Sequence, residues 1–158
     1  MSEEIFGAVQ KLPVNGTKKQ VVLQCAPLLT GIKLSNLLNV RADQKEEVFR
    51  IFEGSPVCCR VLYEFQGRLS ILLYRPGMLA AYLEREDVKK MMTSFGYENP
   101  DLEETLNRIA DAYQDHMNGK RGFPHEIGLV LGYPPVDVEG FIEKEGRDFL
   151  YSGYWKVY

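Results

Sequence analysis

The sequence predicts an α+β domain in which helices pack on one face of a small antiparallel sheet built around a β-hairpin at 60–74. Three observations carry this. Two apolar arms, Arg60 to Phe65 and Leu69 to Tyr74, flank Gln66-Gly67-Arg68 and are rich in β-branched, aromatic and aliphatic residues. Leu102, Leu106, Ile109, Tyr113 and Met117 then recur at helical spacing between Asp101 and Asn118-Gly119. Finally, 158 residues with 45% apolar and 26% charged content give a chain able to bury its own core as one domain, 1–158.

In chain order, residues 1–20 form a sparse amphipathic lead-in with a turn at Pro13 to Gly16. Val21 to Leu29 reads as a helix ending at Gly31, with Pro27 in its middle or first turn. Ile32 to Val40 fits strand or loop. Asp43 has the form of an N-cap, with Glu46 completing a capping box, for a helix through Phe52 that stops at Gly54. In the hairpin, a three-residue loop pairs Phe65 with Leu69, Tyr63 with Ile71 and Val61 with Leu73, putting six large side chains on one face.

Pro76 ends the second arm, and 78–94 reads as one helix broken by a loop at 96–100. Pro124 stands at a first helical position with Glu126 in the first turn, and Gly132 provides a left-handed stop before Pro134-Pro135. Asp137 opens another helix carrying Val138, Phe141 and Ile142, and Phe149 to Tyr158 alternates as a strand does.

The charge balance, 19 basic against 22 acidic residues, argues against nucleic acid as a partner, since phosphate neutralisation needs a basic surface. The helix–turn–helix outline at 124–145 would present Asp137, Glu139, Glu143 and Glu145 against Lys144 alone, the wrong sign for a DNA groove. Three cysteines, two of them adjacent, suit a reducing compartment, and neither a secretory leader nor an apolar run of membrane-spanning length is present, so a cytoplasmic location is expected.

No nucleotide-binding loop, zinc-protease helix or serine-hydrolase elbow occurs in the chain. What chemistry remains is scattered. Cys25 could act as a nucleophile with His125 as base and Glu126 beside it, and the same three could hold one metal ion. The bland alternative is a core cysteine, because free cysteine is among the most buried residue types. Lys33, Asn36 and Arg75 end apolar segments and could bind an anionic ligand, or simply face solvent.

Three runs carry a resemblance: Cys25 to Leu37 (CAPLLTGIKLSNL), Phe123 to Ile142 (FPHEIGLVLGYPPVDVEGFI) and Gly153 to Tyr158 (GYWKVY). From about residue 20 onward the chain resembles a bacterial family, found mostly in anaerobic Firmicutes, known as a domain of unknown function. Its members usually continue past the position of Tyr158 with a basic helix, so the resemblance implies a short member or a truncated chain. It points to Cys25, Lys33, Asn36, His125, Glu126 and Lys156 as positions to test, and implies no established activity or cofactor. The reading that results is a non-enzymatic domain binding a protein partner or small ligand, with a thiol-dependent enzyme as the alternative and a mononuclear metal site as the third.

Overall fold

The computed structural model describes residues 16–152 and 156–157. The expected lead-in therefore lies outside the described residues, apart from Gly16 and the start of the first helix. The architecture is α+β, with two compact units, Met1–Pro76 and Gly77–Tyr158.

In the first unit, helix α1 (Thr17–Leu29) is followed by strand β1 (Ser35–Arg41), a 3-10 turn (Ala42–Gln44), helix α2 (Lys45–Phe52) and strands β2 (Cys58–Phe65) and β3 (Arg68–Tyr74). Of the stretch left open between strand and loop, 32–34 is loop and Ser35 onward is strand, which pairs with β3 rather than with its neighbour in sequence: the order is β1-β3-β2, antiparallel throughout. Thr17, Val21, Cys25 and Leu28 recur every three or four positions on α1 and turn one buried face toward the sheet. With Val48 and Phe52 of α2 they meet Leu38, Val40, Leu69, Ile71 and Leu73, so this side of the sheet holds a continuous apolar core.

Helix α2 does not start as expected. Asp43 lies in the 3-10 turn, where its carboxylate accepts from Arg41 Nε at 3.1 Å, and it is Gln44 that satisfies the Arg41 backbone N–H at 3.0 Å. The carboxamide also donates, to Thr17 Oγ1 at 3.1 Å, and so ties the turn to α1.

The hairpin is present, but its register differs from the expected one. Phe65 pairs with Arg68, Glu64 with Leu69 and Tyr63 with Ser70, leaving a two-residue turn of Gln66 and Gly67 with φ of 46° and 75°. Two successive positive φ values give the turn whose twist matches paired strands. Such a turn alone would set Val61 out of phase with Ile71. A bulge between Val61 and Tyr63 absorbs one residue, Leu62, and returns Val61 opposite Ile71. Tyr63 therefore shares a face with Ser70, and Phe65 is 55% exposed instead of lining up with Leu69 and Ile71. Because asparagine's shorter polar side chain bonds the local backbone and tolerates left-handed φ better than glutamine's, Gln66→Asn should stabilise the chain by about 0.5–1 kcal/mol. An unchanged or lowered urea midpoint would count against the turn geometry.

The second unit is helical: α3 (Pro76–Leu83, beginning at the boundary residue), α4 (Glu86–Ser94), α5 (Leu102–Met117), α6 (Ile127–Val130) and α7 (Pro135–Glu143), then a short pair, β4 (Tyr151–Ser152) with β5 (Lys156–Val157). The single helix expected over 78–94 is two. Arg85 is extended, with φ −59° and ψ 137°, and its guanidinium grips Asp87, whose carboxylate also accepts from the Val88 N–H. Side-chain pairing restarts the helix there with no glycine or proline. Asp101 does cap α5, accepting from Glu104 N at 2.8 Å, and Leu106, Ile109 and Tyr113 are buried as the spacing predicts, whereas Met117 is exposed. Pro124 precedes α6 rather than opening it, and α7 begins at Pro135, with Asp137 in its first turn.

Candidate functional site

The run from Cys25 to Asn36 is built as a helix ending. Gly31 adopts φ 78°, and its N–H reaches Leu28 O while those of Ile32 and Lys33 both reach Pro27 O. This is a paired closure of the last turn that requires a left-handed residue, which glycine supplies without strain. Arg75, at the end of β3, completes it: Nε donates to Leu28 O at 3.0 Å and Nη2 to Leu29 O at 3.1 Å. Asn36, on β1, donates from one amide nitrogen to Gln24 O at 3.2 Å and to Cys25 Sγ at 3.3 Å. Lys33 lies close enough for its charge to favour the Cys25 thiolate, but the burial of both groups outweighs that attraction, raising the thiol's pKa and lowering the ammonium's.

Cys25 itself is 0% exposed and belongs to the same apolar core as Val21, Leu28 and Leu38. Burial likewise pushes Cys59 up to about 11, with Cys58 and Cys25 adding to the effect. Cys58 is exposed. Thiolates, not thiols, attack. Native-state labelling with a neutral maleimide should therefore modify Cys58 first and leave Cys25 untouched until the chain unfolds; rapid modification of Cys25 in the folded protein would contradict this.

His125 and Glu126 belong to the second unit, in the loop leading into α6. Here too the family-like run encodes a helix ending: Gly132, at φ 81°, lets Tyr133 N reach Gly128 O and its own N–H reach Leu129 O. Tyr133 O in turn accepts from the Tyr82 hydroxyl at 2.7 Å. The Glu126 carboxylate is buried. It accepts from the Tyr97 hydroxyl at 3.2 Å and lies 3.7 Å from a half-exposed Arg121 guanidinium. Burial first, then the carboxylate beside it, holds the Tyr97 hydroxyl protonated far above the usual phenol range. His125 sits among rings, with centroids 5.4 Å from Phe123 and 5.8 Å from Phe141, and burial lowers its pKa against the pull of Glu126. Lys156 donates to Gly146 O and lies over the Phe149 ring at 4.6 Å.

Cys25, Lys33, Asn36 and Arg75 belong to the first unit, and His125, Glu126 and Tyr97 to the second. Among the described residues no group of three or more His, Cys, Asp or Glu side chains is arranged to hold a metal ion, and no helix is long and apolar enough to cross a membrane.

A cleft that no sequence motif marks lies in the second unit. Ala80 and Leu83 of α3, Met92 of α4, Tyr97, and Leu102 and Thr105 of α5 line it, with Glu84, Lys89, Asn99 and Asp101 also bordering it, and it encloses about 80 Å³. Its only sequence signal is Gly96 to Pro100, read as a mere loop, where Asn99 takes φ 49° before Pro100. Tyr97 joins this cleft to the buried pair, since the residue lines the one and its hydroxyl serves the other.

Comparison with known proteins identifies a family model, described as Protein of unknown function (DUF3793), that matches residues 21–158. No curated protein and no solved structure matches the chain.

Proposed function

The chain belongs to the DUF3793 family, and from that premise we propose that it is a non-enzymatic cytoplasmic domain that binds a small ligand in the cleft bordered by α3, α4 and the start of α5. The observation that carries this reading is the cleft itself: apolar lining residues beside a few polar ones have the composition of a small-molecule site, and its volume of about 80 Å³ confines the ligand to fragment size. The other candidate groups are engaged internally. Asn36 and Arg75 hold the end of α1, Glu126 receives Tyr97, and Lys156 binds a backbone carbonyl. A buried thiol with a raised pKa weighs against Cys25 as a nucleophile. The three unpaired cysteines suit a reducing cytoplasm.

The test is a fragment screen by thermal shift on the whole chain, since a ligand that binds only the folded state raises Tm by mass action. Hits should shift methyl resonances of Met92 and Leu83 and should be lost in Ala80→Leu, which narrows the cleft from a helical position. Hits that bind the narrowed variant equally well would sink the proposal.

A further inference from the structure

Resting on that reading of the cleft, we propose that Arg108 and Glu126, neither of which borders it, are its positioning residues: they pin Tyr97 from outside and so set how tightly the cleft holds a ligand. Tyr97 lies in the connection between α4 and α5, outside any regular element, yet it is only 4% exposed. Its backbone is tied to α4, where the N–H donates to Met92 O at 3.1 Å and the carbonyl accepts from Thr93 Oγ1 at a long 3.5 Å. The side chain is held by the two charged residues.

Arg108 makes two contacts at once. Asp101, Thr105 and Arg108 follow one another at spacings of four and three on one face of α5, the first two on the cleft and the third a turn beyond it. From there the guanidinium lies 4.0 Å from the centroid of the Tyr97 ring, and its Nη2 donates to Gly96 O at 2.9 Å. One planar cation thus fixes both the ring and the peptide before it. Glu126 holds the tip of the same side chain, accepting from the Tyr97 hydroxyl at 3.2 Å. That carboxylate is itself buried and 3.7 Å from Arg121, so it has little freedom to follow a phenol that moves. Affinity follows from this order. A border already in place costs nothing to arrange, and one in place for only part of the time weakens apparent binding by that fraction.

Two readouts on the whole chain test the assignment. Amide hydrogen exchange reports on Tyr97 with no ligand present. Xenon, an apolar atom that fits a space of about 80 Å³, probes the cleft through the methyl resonances of Met92 and Leu83. Arg108→Met keeps the apolar stem and removes the guanidinium. It should speed exchange of the Tyr97 N–H about tenfold or more, leave that of the buried Ile109 unchanged, and weaken xenon binding about threefold or more. Glu126→Leu should act in the same direction, whereas Glu126→Gln, which keeps an acceptor for the phenol, should stay near wild type. Xenon bound by Arg108→Met as tightly as by wild type, or Tyr97 exchange that rises no more than that of Ile109, would overturn the positioning role and leave the cleft as a ligand site. Xenon that does not bind the wild-type chain, or that binds Ala80→Leu equally well, would overturn both.

Discussion

Replacing Ile71 with alanine should cost about 2–5 kcal/mol, enough to unfold much of a marginally stable domain, whereas Phe65→Ala should cost under about 1 kcal/mol. Ile71 is fully buried at the centre of the first unit's core, where α1 and α2 meet β3, and its removal leaves a void that close-packed neighbours fill only in part. Phe65 keeps one stacked contact, with the Tyr63 ring at 6.2 Å, and is otherwise largely in water. The pair is informative because unbulged strands joined by a three-residue loop would put both residues in the core. Urea unfolding decides it: a lowered midpoint at unchanged slope for Ile71→Ala and little change for Phe65→Ala is the expected result. Equal, large losses would restore the unbulged register.

The second large effect is expected at the buried acid and phenol. Glu126→Leu should destabilise the chain by about 1.5–3 kcal/mol, because it leaves the Tyr97 hydroxyl buried without its acceptor and removes a hydrogen bond to a charged group. Tyr97→Phe should do comparable damage by leaving the carboxylate with only the longer Arg121 contact. Combined, the two substitutions should cost less than either alone, since two apolar groups of similar shape leave no unmet polar atom. Additive losses in the double variant would show that the two residues do not act as a pair.

A pH dependence follows from the same place. The Tyr97 hydroxyl is raised above its ordinary 10.0, so the folded chain holds this proton more tightly than the unfolded one; the stability is complete below about pH 10 and drains away as pH climbs beyond it. His125 is lowered from 6.5, so its contribution is present above that value and is lost as pH falls below it. Tyr97→Phe should flatten the alkaline limb of a stability profile and His125→Phe the acid limb. An unaltered profile in either variant would remove that residue from the account.

How much of this was legible in the sequence differs by feature. The hairpin, the long helix with its Asp101 cap and the α+β class follow from periodicity, which depends only on which side chains must leave water. The hairpin register did not, because a bulge at Leu62 changes the phase of a strand without any proline or glycine to mark it. The break between α3 and α4 was hidden for a related reason, since an arginine and an aspartate make it through their side chains. The two long family-like runs invited a chemical reading, yet each contains a glycine-closed helix ending, and Arg75 reaches the first of them from 46 residues away. Tyr97 was missed as the partner of Glu126 because 29 residues separate them, and no spacing rule spans a tertiary contact of that kind.

The strand order carries a consequence for synthesis. β3 is the middle strand and is also the last of the three to leave the ribosome, so β1 and β2 have no edge to pair with until Tyr74 has emerged. Until that moment Leu38 and Val40 ride on an unpaired strand in a growing polypeptide, the form in which nascent chains are most exposed to aggregation. Slow codons placed just before Arg68 would prolong that window, and the same codons placed far enough beyond Tyr74 for β3 to have left the exit tunnel would give the sheet time to close.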